Sequence, residues 1–208
     1  DGDTPSDNYA LWNGNAESTT ASIYQKQIVG QFTVNNKNYD GNAVANVASA
    51  TSDGFISGDD VALSIPNGSA TYASADSNYG ETQVVTANAG NLSGSDAGNY
   101  EIIGIDDTTG VINQIDWTID WGAIADVYAG TLLSGTQLNA VITGVGSDTS
   151  VGTYTPAAGT MLAPGANQVL SVVVAETGNY LETTAENHIN VNKGTVLITS
   201  NPATRAYG

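Results

Sequence analysis

The sequence predicts an all-β protein that consists of two tandem β-sandwich domains, with an extra strand segment at each end. Three observations support this class. Apolar and polar residues alternate with a period of two over several stretches, turn-forming pairs such as Asn-Gly and Asp-Gly separate these stretches, and short motifs recur after about 80–90 residues. No stretch carries a sustained apolar period of about 3.6 residues, so we expect no substantial helix.

The period-two pattern identifies the strands. It is clearest over residues 115–121, where large apolar side chains occupy the odd positions and polar ones the even positions, as in a strand with its aromatic face inward. The same alternation occurs over residues 28–34, 61–65 and 189–191. Residues 169–174 are apolar at nearly every position, which predicts a strand buried on both faces.

Two series of short motifs recur with similar spacing. An Asn-Tyr pair followed by a Thr-Thr pair occurs at intervals of 91 and 80 residues: Asn8-Tyr9, Asn99-Tyr100 and Asn179-Tyr180. A Tyr-x-Gly motif recurs after 89 residues, at Tyr39-Asp40-Gly41 and Tyr128-Ala129-Gly130, and a Tyr-Gly pair follows 79 residues later, at Tyr207-Gly208. The agreement indicates one repeating unit of about 80–90 residues, the size of a single β-sandwich.

The repeat divides the chain into four parts. Residues 27–113 and 114–192 are predicted to be two complete sandwiches. Residues 1–26 are expected to be a terminal strand segment of a preceding unit or an intermolecular donor strand. Residues 193–208 are expected to be the opening strand of a next unit or an intermolecular contact segment. Five apolar residues of these end segments are candidates for contacts between subunits: Tyr9, Leu11, Ile23, Val196 and Ile198.

The first unit resembles YDG-type repeats. The motifs that carry the resemblance are FTVNNKNYDG at residues 32–41, SGDDVAL at 57–63 and LSGSDAGNY at 92–100. The second unit is similar to bacterial Ig-like (MBG-like) repeats over residues 128–139, 154–159 and 178–180, although Ala129 replaces the motif aspartate. Both kinds occur in large bacterial haemagglutinin-like surface adhesins.

The resemblance implies two tandem Ig-like β-sandwich modules in an extracellular protein of a bacterial cell surface, without catalytic residues. We interpret the motif residues as structural: Tyr39, Asp40, Gly41, Asn99, Tyr100, Tyr128, Gly130, Asn179 and Tyr180. The tyrosines of the Asn-Tyr pairs are expected to anchor sandwich corners by burying their rings and hydrogen-bonding their hydroxyls.

Composition disfavours several classes of partner. The chain has 21 acidic and four basic side chains, a formal net charge of −17. Such a charge repels phosphate backbones and anionic lipids, so we expect no nucleic-acid partner. No apolar run approaches the roughly 18 residues that span a bilayer, so no membrane insertion is expected. The absence of cysteine excludes disulfides and cysteine-based zinc sites.

The sequence gives little support for catalysis. Serine or threonine nucleophiles need a neighbouring base, most often histidine. The single histidine, His188, falls on the polar phase of its strand, beside Ile189, and is interpreted as solvent-facing. Paired carboxylates, which glycosidases use, lie in glycine-rich turns or on one strand face: Asp59-Asp60, Asp106-Asp107, Asp116 and Asp120. We therefore expect no enzymatic activity.

No cofactor is required by this interpretation, and calcium is the ligand that the composition favours most. Calcium prefers several carboxylate, amide and carbonyl oxygens. Acidic residues near predicted domain ends supply such groups: Asp1, Asp3, Asp106 and Asp107. Since no EF-hand loop is present, the alternative is that these acids are ordinary surface charge.

The predicted function is structural and non-enzymatic. The chain forms part of an adhesin stalk, or it is the subunit of a head-to-tail surface fibre joined by strand complementation. Its partners are then adjacent repeats or neighbouring copies of itself. The alternative is a carbohydrate-binding, lectin-like module for host or environmental glycans, with Trp12 as the exposed aromatic candidate and Trp117 and Trp121 in the core.

Overall fold

The computed structural model describes residues 22–200 and 204–208. These residues form fifteen strands and two three-residue 3-10 helices, Asn78–Gly80 and Ala97–Asn99. The expected all-β class without a substantial helix is confirmed. No helix in the described residues is long and apolar enough to cross a bilayer.

The first strand set comprises nine strands that alternate with glycine-rich turns. They are β1 (Lys26–Asn35), β2 (Lys37–Asn38), β3 (Asn46–Thr51), β4 (Ala62–Ser64), β5 (Ala70–Tyr72), β6 (Thr82–Ala87), β7 (Asn91–Ser93), β8 (Tyr100–Ile105) and β9 (Thr108–Asn113). They form sheets with the orders β3-β1-β8, β2-β9-β6-β5 and β4-β7.

The core of the first strand set lies between its two larger sheets. Phe32 of β1 packs there with Tyr72 of β5, Val85 of β6 and Ile112 of β9. Each of these residues is on the apolar phase of its strand, which is why period-two alternation buries them together. Strand β1 pairs first with β8, in parallel, and then with β3, in antiparallel orientation.

The second strand set comprises six strands: β10 (Thr118–Asp120), β11 (Val127–Tyr128), β12 (Val141–Thr143), β13 (Thr153–Thr155), β14 (Gly165–Val174) and β15 (Thr183–Asn192). They form a four-stranded sheet, β11-β15-β14-β13, and a two-stranded sheet, β10-β12. One apolar cluster contains Trp117, Ile142, Val174 and Tyr180. A second contains Leu133, Leu138, Leu170 and Ile189.

The sheets of the described residues never combine strands from both sets. The change from one set to the other occurs at Gln114, directly after β9 ends at Asn113. Ile115 then forms a parallel bridge to Tyr180, as Lys26 of β1 pairs in parallel with Tyr100 of β8. Each set therefore begins beside its own Asn-Tyr tyrosine.

Two strand predictions needed correction. Strand β14 is buried on one face only: Leu170, Val172 and Val174 are inaccessible, whereas Val169 is about half exposed. The prediction of burial on both faces was wrong because valine is also common on the exposed face of a strand. An apolar residue in a strand is therefore not always a buried one. Over residues 115–121, only Thr118–Asp120 pair as a strand, although Trp117 is buried as its phase predicts.

Candidate functional site

The feature that unites the sequence motifs is a contact between the two strand sets, which we call the junction. The first set contributes Tyr39, Gly41 and the loop of residues 76–79. The second set contributes the turn of residues 145–148 and the motif of residues 178–180.

Tyr180 is the buried anchor of the second set. Its hydroxyl accepts a hydrogen bond from the Val145 backbone N–H at 2.7 Å and donates one to Asp148 Oδ2 at 2.7 Å. Trp117 stacks on its ring, with centroids 3.7 Å apart. A Cβ atom at Gly144 would collide with the Tyr180 ring, so glycine is required for this close approach.

Tyr100 forms the same arrangement in the first set. Its hydroxyl accepts a hydrogen bond from the Ile56 N–H at 2.9 Å and donates one to Asp59 Oδ2 at 2.6 Å. In both sets the aspartate lies three residues after the residue whose N–H donates to the tyrosine hydroxyl. The N–H of the aspartate donates in turn to the carbonyl of that same residue. We call each such arrangement, a tyrosine with its aspartate and backbone donor, a tyrosine anchor.

Tyr39 connects the two sets. It packs against the core cluster of the first set and against the Trp117 cluster of the second. Its ring meets Tyr180 edge-on, at a centroid distance of 5.6 Å, and its hydroxyl donates to Asp148 Oδ2 at 3.4 Å. Asp148 therefore accepts hydrogen bonds from a tyrosine of each set.

The loop of residues 76–79 adds polar contacts. The Ser77 N–H donates to Asn179 Oδ1 at 2.8 Å, and Asn179 Nδ2 donates to Asp76 Oδ1 at 3.0 Å. The Gly178 carbonyl accepts from the Tyr79 N–H at 2.8 Å and from the Ser77 hydroxyl. Both ends of the Asn179 amide are thus used, which fixes its orientation across the junction.

The Tyr39 side of the junction is held by Lys37. Its Nζ lies 2.6 Å from Asp40 Oδ1 and donates to the carbonyls of Asn42 and Val44 at 2.9 and 3.2 Å. Gly41 between them has a φ of +78°, a left-handed conformation that favours glycine. These contacts close the loop tightly around the Tyr39-Asp40-Gly41 motif.

The electrostatics of the junction keep its tyrosines protonated. Burial, followed by the hydrogen bond to Asp148, raises the pKa of Tyr180 to about 12. Burial and the negative charge of Asp148 also raise the pKa of Tyr39. At neutral pH both hydroxyls are donors, and the arrangement offers a carboxylate acceptor but no nucleophile–base pair.

The structure separates the nine predicted motif residues into groups. Tyr39, Gly41, Asn179 and Tyr180 meet at the junction, and Asp40 supports it through Lys37. Asn99 and Tyr100 lie at the other tyrosine anchor. Tyr128, the last residue of β11, and Gly130, two residues after it, are exposed.

The two Tyr-x-Gly motifs differ in register. The N–H of Tyr39 donates to the Asn113 carbonyl, whereas in the second set the N–H of Ala129 donates to the equivalent Asn192 carbonyl. In the backbone pairing, Ala129 therefore takes the position of Tyr39, whereas alignment of the two Tyr-x-Gly motifs would place Tyr128 there.

The other predicted sites fall in three places. Asp1, Asp3, Tyr9, Leu11 and Trp12 lie outside the described residues. Asp106 and Asp107 are exposed where the chain crosses from β8 to β9, and the part of the chain that the structure describes holds no group of three or more acidic or histidine side chains suited to a metal ion. Ile23, Val196 and Ile198 are exposed.

The candidate catalytic groups are engaged elsewhere or isolated. His188 is exposed on the outer face of β15. Asp59 accepts a hydrogen bond from Tyr100, and Asp60 accepts hydrogen bonds from the N–H and the hydroxyl of Ser95.

Of the tryptophans considered for glycan binding, Trp117 is buried and Trp121 packs against the Leu170 cluster.

Sequence reasoning missed three junction residues: Asp76, Ser77 and Asp148. One signal was available for Asp148, which follows Asp59 by 89 residues, the same interval that separates the Tyr-x-Gly motifs. No repeat marks Asp76 and Ser77, because the corresponding loop of the second set, residues 156–164, contains no aspartate, serine or asparagine.

Comparison with known families agrees with the geometry of the first strand set. A search of curated proteins gave no significant match. The family model described as YDG domain matches residues 24–110, which hold strands β1–β8 and the first half of β9, so this part of the chain is similar to YDG domains.

Proposed function

We propose that the chain is a structural, non-enzymatic repeat protein of a bacterial cell surface, which acts as a spacer in an adhesin stalk. The observation that carries the proposal is the junction. It joins the two strand sets through motif residues of both, so the repeat itself encodes the contact between neighbours. A spacer needs this kind of contact because its task is to hold a distant binding region at a defined position.

The mechanism is the suppression of bending between neighbouring units. Gln114 alone separates the last residue of β9 from the bridge that begins the second set. Its Nε2 donates to the carbonyls of Thr177 and Tyr180 at 2.7 and 3.3 Å. A linker this short, itself hydrogen-bonded, leaves little freedom for the two sets to reorient.

The fibre form of the proposal rests on the ends of the chain. Ile23, Val196 and Ile198 are large apolar residues that lie exposed outside the strands. Pairing such a segment with an open sheet edge of a neighbour buries the apolar side chains and satisfies a row of backbone groups. Since Trp117 is buried and Trp121 is packed into the core, no observation in the described residues favours the lectin-like alternative.

The spacer form is tested by small-angle X-ray scattering on the full chain and on two variants. Asn179→Ala removes the amide that crosses the junction, whereas Asn99→Ala removes the equivalent amide of the Tyr100 anchor and serves as the matched control. We expect one conformation to fit the scattering of the parent chain and of Asn99→Ala, and a broader distribution for Asn179→Ala. If the scattering of the parent chain can be fitted only by many relative orientations of the two strand sets, the spacer proposal is contradicted.

The fibre form is tested by negative-stain electron microscopy of the full chain beside a chain that lacks residues 1–22. Long fibres that disappear on truncation support strand complementation through the N-terminal segment. Short particles from both chains contradict the fibre form and leave the spacer.

A further inference from the structure

A second surface of the first strand set matches the part of the second set that the junction covers. It is a groove of about 440 Å³ beside Tyr100, lined by Ile56, Asp59, Gly98 and Asn99 together with residues 23–26. The groove belongs to the Tyr100 anchor, at the far end of the first strand set from Tyr39 along β1 and β2.

The two surfaces agree residue by residue. Ile56 and Asp59 correspond to Val145 and Asp148, each 89 residues later, and hold their tyrosine hydroxyl through the same two hydrogen bonds. Gly98, Asn99 and Tyr100 correspond to Gly178, Asn179 and Tyr180, each 80 residues later. Gln25 donates to the Gly98 carbonyl at 3.0 Å, and Gln114 donates to the carbonyls of Thr177 and Tyr180, which lie on either side of the corresponding residues Gly178 and Asn179.

The surfaces differ in what covers them. At the second anchor, Tyr39 and residues 76–79 half-bury Gly178 and Asn179 and use every polar group of the Asn179 amide. At the first anchor, Gly98 and Asn99 are exposed, and no side chain of residues 22–200 hydrogen-bonds the Asn99 amide. Phe55 touches the Tyr100 ring edge-on but does not line the groove.

We infer that this groove is the docking surface for another unit of the first kind, one that carries a Tyr-x-Gly loop and an Asp-Ser-Asn-Tyr loop like residues 39–41 and 76–79. Such a unit supplies a tyrosine hydroxyl for Asp59, a carboxylate and an N–H for the Asn99 amide, and an N–H for the Gly98 carbonyl. This inference rests on the proposed repeat function and names the partner that the repeat accepts.

The partner must be of the first kind, since the second strand set lacks the groups that the groove needs. Its loop of residues 156–164 has no aspartate or serine, and its Tyr128 is displaced by one residue from the register of Tyr39. The end of the second set is therefore a poor match for the groove, which disfavours head-to-tail docking of two such chains through these surfaces.

Residues 23–25, which lead into the groove, correspond to residues 112–114, which connect the two strand sets. Ile23 precedes Ile112 by 89 residues, and Gln25 precedes Gln114 by the same number. Ile112 is fully buried as the last core residue of β9, whereas Ile23 is 98% exposed. A unit that ended at Ile23 as the first set ends at Ile112 would reach the groove with no additional linker.

The experiment uses a tandem duplication of residues 24–112, inserted directly after Ile23, so that the whole chain is retained and the register is unbroken. Because the sequence has no cysteine, a single introduced pair reports one contact. Asp76→Cys in the first copy is combined with Asn99→Cys in the second copy. The reference pair, Asp76→Cys with Asn179→Cys in the original chain, joins side chains whose polar atoms lie 3.0 Å apart. Chains that carry only one of the two introduced cysteines serve as controls, because any disulfide they form joins two molecules.

We expect the duplicated pair to form an intramolecular disulfide with a yield within about twofold of the reference pair. If the reference pair cross-links and the duplicated pair does not, the inference is overturned while the proposed function stands. If neither pair cross-links, the hydrogen-bonded geometry does not suit a disulfide, and the unfolding midpoints of the alanine variants decide: an Asn179→Ala midpoint equal to that of the parent chain overturns both the junction and the inference. Within the duplicated chain, the second copy's Asp76→Cys with Asn179→Cys shows whether the chain has folded.

A second measurement does not depend on cysteine. In the original chain, Asn99→Ala is expected to leave the urea midpoint of unfolding unchanged, because no described side chain uses that amide. In the duplicated chain, Asn99→Ala in the second copy is expected to lower the midpoint as Asn179→Ala does in the original chain. Equal insensitivity in both chains overturns the inference.

Discussion

At the scale of single residues, the junction depends on the pairing of a neutral tyrosine with a carboxylate. Tyr180 is buried, and its hydroxyl both accepts from a backbone N–H and donates to Asp148. Burying a phenol favours its neutral form, and a neighbouring anion favours it further. These two causes raise the pKa of Tyr180 to about 12, above the ordinary value of 10.0.

This raised pKa predicts an alkaline loss of stability. The unfolded chain releases the Tyr180 proton near pH 10 and the folded chain near pH 12, so the contribution of Tyr180 is complete below pH 10 and is lost between these values. Tyr180→Phe should unfold more easily at pH 7, by about 1–3 kcal/mol. The difference in unfolding free energy between parent and variant should shrink from pH 10 to pH 12 in urea titrations. A difference in unfolding free energy that stays constant from pH 10 to pH 12 contradicts the raised pKa of Tyr180.

Part of this residue-level detail was predictable from sequence. The Asn-Tyr pairs and the Tyr-x-Gly motif recur at countable intervals, so Tyr39, Asn179 and Tyr180 could be selected without a structure. The partners could not be selected in the same way. Ser77 and Asn179 are 102 residues apart along the chain, and only the folded path of both sets brings them together.

At the scale of elements, the hairpin of β14 and β15 is the framework of the second strand set. The two strands pair over most of their ten residues, and β14 alternates inaccessible and partly exposed side chains from Val169 to Val174. Period-two reasoning predicted the strand, but five apolar residues among the six of residues 169–174 conceal which face is inward. The faces are distinguished by the neighbouring Leu133, Leu138 and Ile189, which pack on Leu170.

Adjacent residues of β14 give a matched test of this assignment. Leu170 is 0% exposed and Val169 is 48% exposed. Leu170→Ala should cost about 2–5 kcal/mol of unfolding free energy, because it removes buried methyl groups and leaves a cavity. Val169→Ala should cost less than about 1 kcal/mol. Chemical denaturation of both variants measures the difference, and equal costs would show that both faces of β14 are buried.

At the scale of the whole molecule, the uneven charge is the dominant property. The net charge is −17, and the only ion pair among the described residues joins Lys37 to Asp40. Composition predicted this repulsion directly, because it requires no knowledge of the fold. Composition could not predict where the acids lie, and Asp59, Asp76 and Asp148 proved to be hydrogen-bonding groups rather than spare surface charge.

Self-repulsion predicts that salt stabilises the folded chain. Raising sodium chloride from about 0.02 to about 0.5 M screens repulsion between surface acids and should raise the melting temperature by roughly 2–5 °C. Calcium chloride at equal ionic strength tests the predicted calcium ligands Asp1, Asp3, Asp106 and Asp107. An additional calcium shift that Asp106→Asn with Asp107→Asn removes supports a site there, and a decrease in melting temperature with sodium chloride contradicts the repulsion.

The parallel pairing near the ends of each strand set decides how the molecule responds to tension. Strand β2 runs alongside β9, and β11 runs alongside β15, in the same direction. When the two ends of the chain are pulled apart, each such pair is loaded lengthwise. Its hydrogen bonds then lie across the force and must break together, instead of opening one after another as in a peeled hairpin. Resistance to flow or traction would thus reside in two short parallel pairings, β2 with β9 and β11 with β15, and the long antiparallel pairing of β14 with β15 would be shielded behind them.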